Sequence, residues 1–163
     1  MHSLSDMAVF YHNSVGANGH LEIDLAIDRT GNVAPEHAAV YAAFGGWIES
    51  CYYKTPLGSG FLAAGEETVT IPLQDPSGLG VDRVVLQEDI TGGQFLISYT
   101  VEVQVGGAWG AFSQGVTVGS KRIDVAKAAV PGATAIRLTV TEAFSPGHVG
   151  VSVIALSGEG CAT

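Results

Sequence analysis

Glu22 and Asp24 are the carboxylates whose spacing comes nearest to a catalytic pair. Two residues apart on an extended chain, they face the same way at roughly 6.5–7 Å. That is near the lower end of the separation at which one carboxyl can act as acid and the other as base about a water. Their surroundings supply neither a cleft nor a stacking aromatic, so a solvated face is the expected state. The five histidines, His2, His12, His20, His37 and His148, lack ligand spacing such as i, i+4 with a third acid. Leu57-Gly58-Ser59-Gly60 lacks the first glycine of a nucleophile elbow. The glycine-rich connectors do not follow a strand and open a helix, so no phosphate cradle and no cofactor are expected. Cys51 and Cys161 have no partner at metal-ligand spacing, and no metal is expected. They are either two free thiols or a disulfide fastening the tail to the N-terminal segment.

Periodicity divides the elements that must position these residues into two groups. Residues 1–55 read as helix, strand, helix. A short helix is expected over Ser5–Tyr11, ending near Asn13 and Gly16. In 21–28, leucine and isoleucine alternate with Glu22, Asp24, Ala26 and Asp28, the two-residue period of a half-buried strand. Its acidic face expects water, since burying unpaired carboxylates is costly. Pro35 and Glu36 suit a first helical turn, and Val40, Phe44, Trp47 and Cys51 form the apolar stripe of a helix running to about Tyr53. Gly45-Gly46 in its middle reads as room for another backbone. Residues 56–65, rich in glycine and proline, read as a linker. Beyond it, short β-branched runs predict strands near 67–73, 82–88, 95–105, 107–117, 121–125, 135–142 and 149–156, the rhythm of an antiparallel sandwich over 66–163.

Charged residues make up only 14% of the 163 residues, against 47% hydrophobic, and mean hydropathy is +0.31. An ordinary monomer carries nearer a quarter charged residues, so self-association or another protein chain is expected to cover part of the surface. The net charge is -9, and only Lys121-Arg122 pair as basic neighbours. That excludes a phosphate-neutralising surface, and nucleic acid is not an expected partner. No apolar run approaches the ~20 residues of a bilayer span, so no membrane is expected either. The opening MHSLSDMAVFYHN lacks the charged and apolar regions of a secretory signal. This reads as an intracellular chain, or as a mature or excised segment, secreted or lysosomal in type, whose signal lies elsewhere.

Two stretches carry a family likeness. Asn18-Gly19-His20-Leu21, Asp28-Arg29-Thr30-Gly31 and Gly46-Trp47-Ile48 resemble the last strand and helix of the alpha-L-fucosidase barrel, and Tyr11-His12-Asn13-Ser14-Val15-Gly16 looks like the plant-type version of that region. The second stretch runs through Val84-Val85-Leu86-Gln87-Glu88-Asp89-Ile90, Gly93-Gln94, Tyr99-Thr100-Val101-Glu102, Lys121-Arg122 and Arg137-Leu138-Thr139-Val140. It is similar to the same family's C-terminal sandwich. The resemblance implies a mainly β protein: a discoidin-like (galactose-binding-like) jelly roll with an N-terminal helix-strand-helix remnant of the barrel. It also implies that the family's nucleophile, acid/base carboxylate and fucose-binding histidines lie on barrel strands this chain lacks, so no hydrolysis by the chain alone is expected. The segment that often holds calcium in discoidin relatives is shortened to about a dozen residues before Glu67.

Within the sandwich, Glu88, Asp89, Gln94, Lys121, Arg122 and Arg137 are side chains of the kind that grip sugar hydroxyls, the arginines through planar forks. Trp109, Tyr99 or Phe144 would supply a stacking face. The expected function is a non-catalytic carbohydrate-binding module for fucose- or galactose-type glycans, with ligands on the loops at one end of the sandwich. The competing expectations are a salt-bridge network that merely fixes those turns, a self-assembling building block, and a subunit or fragment of a fucosidase.

Overall fold

The computed structural model describes residues 2–162. Helix α1 (Leu4–Asn13) and helix α2 (Pro35–Tyr52) precede eight strands: β1 (Gly58–Leu62), β2 (Thr68–Pro72), β3 (Val81–Glu88), β4 (Leu96–Val105), β5 (Ala108–Val116), β6 (Arg122–Val130), β7 (Ala133–Ala143) and β8 (Val151–Leu156). They form two antiparallel sheets, ordered β1-β8-β3-β6 and β2-β7-β4-β5. That order is an eight-stranded jelly roll, so the expected sandwich is borne out.

Strand alternation builds the core. On β4, Tyr99, Val101 and Val103 point inward and are buried, whereas Thr100, Glu102 and Gln104 point outward. They meet Ile136 and Leu138 of β7 and, from the opposite sheet, Val84, Leu86, Val151 and Val153. The two sheets differ on their outer faces. Strand β3 is buried on both sides, because α1 and α2 cover the outer face of its sheet. Tyr11, Phe44, Trp47 and Cys51 pack there against Val85, Ile123 and Leu156. Among the described residues no helix covers the outer face of the β2-β7-β4-β5 sheet.

Local chemistry sets the helix ends. Ser3 caps α1: its hydroxyl accepts from the Asp6 amide at 3.2 Å, while the Asp6 carboxylate accepts from the Ser3 amide at 2.8 Å. Pro35 opens α2 as expected. At its far end three contacts hold α2 to the sandwich. Cys51 is disulfide-bonded to Cys161, Trp47 Nε1 donates to the Gly160 carbonyl at 3.1 Å, and Arg83 Nη2 donates to the Cys51 carbonyl at 3.1 Å. Arg83 is fully buried, sits over the Tyr52 ring at 5.3 Å and pairs with Asp82 at 2.9 Å.

Four expectations need correction. The run 21–28 joins no sheet; its one ladder contact is an isolated bridge from Ile27 to Val33. Leu21 and Ile23 pack against the helical cluster instead, while Glu22 and Asp24 are exposed. The apolar half of the pattern found a surface, but no neighbouring strand offers it hydrogen bonds. The expected linker 56–65 holds β1, whose five residues pair with β8; its glycines admit close approach, as a Cβ at Gly60 would lie 2.8 Å from Ile71 Cγ1. Among the described residues nothing lies within 4 Å of where a Cβ would stand on Gly45 or Gly46, so none of their backbone uses that room. Finally, β6 continues five residues past Val125 to Val130.

Candidate functional site

The six polar candidates and Trp109 fall into two groups. The first lies at one end of the sandwich, where the β3–β4 and β5–β6 loops meet. Glu88 ends β3 and is only 5% exposed. Its Oε1 accepts from the amides of Phe95 and Leu96 at 2.8 and 2.9 Å, and its Oε2 from that of Gly119 at 3.2 Å. Both oxygens are thus spent on tying the two loops together. Gly119 has φ of +60°, and a Cβ there would run into the Asn18 side chain, so glycine is required. Asn18 Oδ1 in turn accepts from the Ser120 amide at 2.8 Å, joining the N-terminal segment to the same loop. Asp89 is exposed and closes its own turn, accepting from the Thr91 hydroxyl at 2.7 Å and amide at 3.1 Å. Those bonds hold its carboxyl below the usual range. Gln94 is exposed and Lys121 half-buried at the same end.

Arg122 begins β6 and is the link to the open surface. Its Nε donates to Asp124 Oδ1 at 2.9 Å, with a third of the arginine side chain exposed. Buried Asp124 also accepts from the Tyr99 and Ser113 hydroxyls at 2.9 and 2.7 Å. Burial, reinforced by the Asp124 charge, pushes the Tyr99 phenol up, so it stays a donor. Tyr99 is 1% exposed and cannot serve as the stacking face expected of it. A cleft of about 470 Å³ opens beside Arg122, between the end of α1 and strands β5 and β6, with His12, Asn13 and Gln114 along it. His12 is also bonded to the Tyr52 hydroxyl.

The second group stands on the bare outer face of the β2-β7-β4-β5 sheet. Arg137 of β7 donates through Nε and Nη2 to Glu102 Oε2 at 2.9 and 2.6 Å. Its guanidinium lies over the Trp109 ring, 4.3 Å from the centroid. Register explains the triad: Arg137 faces Glu102 across β7–β4, and Gln104, two residues along β4, faces Trp109 of β5. Sequence reasoning missed Glu102 as a site residue, although its outward position in the alternation of β4 was the available signal.

The other candidates stay apart. Among the described residues Glu22 and Asp24 form no ion pair and both are exposed, and Asp24 borders a small apolar groove with Ile23 and Val40. His148 bonds the Ser145 hydroxyl at 2.8 Å, and Phe144 is 83% exposed. Among the described residues no three His, Cys, Asp or Glu side chains are grouped to hold a metal ion, and no helix is long and apolar enough to cross a membrane.

The fold defines a jelly-roll module with a helical segment clasped to one sheet. No protein-family model and no curated protein matches the sequence. Solved structures do. An assigned alpha-L-fucosidase of Bacteroides thetaiotaomicron is 27% identical with a TM-score of 0.86, the match covering 98% of this chain and 35% of that one. One of Bacteroides ovatus is 26% identical with a TM-score of 0.78, over 96% of this chain and 27% of that one. A glycoside hydrolase 29 family member from an unknown rumen bacterium is 24% identical (TM-score 0.80, 96% and 29%) and speaks for the fold alone. The resemblance to part of an alpha-L-fucosidase is borne out. This chain spans only about a third of the length of those proteins.

Proposed function

We propose that this chain is the non-catalytic, sandwich-bearing portion of an alpha-L-fucosidase-type protein and that it binds fucose- or galactose-type glycans without cleaving them. The observation that carries the reading is the match of nearly the whole chain, helices included, to about a third of a fucosidase. The chemistry agrees with it. Glu22 and Asp24, the pair whose spacing comes nearest to a catalytic one, stand exposed on an irregular segment that joins neither sheet. Arg122, Arg137 and Trp109 keep partly open surface beside bonded acceptors, the equipment for hydrogen bonding and stacking on sugar rings. A single shallow contact of this kind binds weakly, and several copies acting together raise the effective affinity.

The purified chain is expected to leave a chromogenic alpha-L-fucoside intact while retaining neutral glycans on an array. Turnover by the chain alone, abolished in Glu22→Gln or Asp24→Asn, would overturn the non-catalytic reading.

A second reading, association with another chain or with itself, is favoured by one feature. The helical segment exposes Ile27 at 65%, Leu25 at 40% and Phe10 at 38%. Helix α2 also exposes alanines and the Gly45-Gly46 pair. Light scattering on the isolated chain separates a monomer from an assembly, and co-purification with a larger polypeptide carrying fucosidase activity would make it a subunit.

A further inference from the structure

We infer that the carbohydrate site, on the reading just given, is an extended furrow across the outer face of the β2-β7-β4-β5 sheet rather than the loops at the end of the sandwich, and that its ligand is a run of neutral sugar units. Two hollows lie on this face. One, of about 510 Å³, lies between Glu102, Gln114, Thr100 and Thr139; the next, of about 470 Å³, runs on past Ser98 and Thr141 to Arg122. They share Thr100 and Gln114, which makes them one channel along β4 and β5.

The register sets what the face around it presents. Thr68, Thr139, Thr100 and Gln114 form one rung across the four strands, and Thr70, Arg137, Glu102 and Ala111 the next. One rung is therefore all hydroxyl and amide. The other has an ion pair at its centre and a small residue at its edge, where Trp109 rises diagonally from Arg137. The ion pair is fixed before any ligand arrives, since Glu102 and the Trp109 ring both hold the guanidinium. These bonds use neither Glu102 Oε1 nor Arg137 Nη1, leaving an acceptor and a donor side by side, as vicinal hydroxyls require.

Charge and length narrow the ligand class. Arg137 is matched by Glu102 and Arg122 by Asp124, so the furrow offers no net charge to an anionic polymer. From Glu102 to Ser98 the floor extends roughly 13 Å at the rise of a strand, room for two or three consecutive rings and more than a single fucose fills. Of the two sheets, only this one keeps its outer face clear of α1 and α2.

The test is calorimetric titration of the full chain with free L-fucose, free galactose, and neutral galactan and xyloglucan oligosaccharides graded from two to six units. Affinity is expected to rise with chain length until the furrow is filled and then to level off. Trp109→Ala, which removes the ring that holds Arg137 beside Glu102 at one end of the furrow, is expected to weaken it by about tenfold. Ala111→Tyr, which fills the channel from the exposed edge strand while sparing the triad, is expected to abolish it. Phe144→Ala should leave binding unchanged, and circular dichroism checks that each variant is folded. Two outcomes overturn the furrow and leave the carbohydrate reading intact: affinity as high for one sugar as for six, or binding kept in Trp109→Ala and Ala111→Tyr but lost in Gln94→Ala or Lys121→Ala. Failure of the wild-type chain to hold any of these glycans overturns both.

Discussion

Among the residues, Glu88 shows how a side chain suited to a ligand can be spent on the fold. A buried carboxylate that accepts three backbone N–H groups contributes through charge-assisted bonds, and its loss strands those donors. Glu88→Gln keeps the shape but turns an amide NH2 toward at least one N–H. The expected cost is about 2 kcal/mol by chemical denaturation, and a change below ~0.5 kcal/mol would show that the loops do not depend on the charge. The turn aspartates behave differently. Asp28, Asp75 and Asp89 are each held below the ordinary carboxylate range, first by the hydroxyls of Thr30, Ser77 and Thr91 respectively, with backbone amides adding to the effect. A depressed folded-state value means the turn contacts are fully present above the unfolded value of about 3.9 and are lost as pH falls through the folded one. Carboxyl-carbon NMR should give all three midpoints below that of an unfolded control; midpoints at or above it would remove the turns' acid sensitivity. None of this could be seen from composition, because the donors to Glu88 lie seven, eight and thirty-one residues away.

At the scale of elements, the clasp on α2 decides whether the helical segment belongs to the sandwich. The Cys51–Cys161 bridge closes a loop with a sequence separation of 110. On the chain-entropy account such a loop stabilises by roughly 4–5 kcal/mol. Reduction, or Cys51→Ser with Cys161→Ser, is expected to lower the melting temperature and to raise amide exchange in α2 and the tail before the β-strands. Equal melting of the reduced and oxidised forms would show that Trp47 and Arg83 hold the clasp by themselves. Which elements form was largely legible: the capping and proline signals gave both helices, and the β-branched runs between glycines gave seven strands. The misses share a cause. The 21–28 run has a strand's alternation, yet a strand exists only where a partner supplies its ladder, and tertiary packing spent Leu21 and Ile23 on the helices. Conversely, β1 has two glycines and a serine among its five residues, a poor strand by propensity, and it forms because β8 is there to pair with it and Leu62 is buried in the core.

Over the whole molecule the two sheets have opposite fates. The β1-β8-β3-β6 sheet hides its outer face under α1 and α2; the other presents a hydroxyl-lined surface to solvent. Exposed apolar side chains occur on both parts of the molecule, and on the helical segment they include Ile27 and Leu25. If that surface is an interface, Ile27→Asp should shift an assembled chain toward monomer in light scattering, with its melting temperature unchanged to within the small effects of surface substitutions. A chain already monomeric at high concentration would remove self-association from consideration and leave a different polypeptide as the partner. The low charge content pointed to covered surface, and part of that cover proved internal, namely the helices lying on a sheet.

The sequence by itself determined the sandwich, the two helices and the resemblance to a fucosidase, because alternation, glycine spacing, caps and the Val84–Ile90 and Arg137–Val140 stretches are local patterns. Only the tertiary structure decided which polar side chains stand together. It divided the expected cluster, burying Glu88 under backbone amides and joining Arg137 to Glu102 and Trp109, because contacts across strands depend on register. Register is set by turns, bulges and the pairing of strands far apart in the chain, and no local pattern records it.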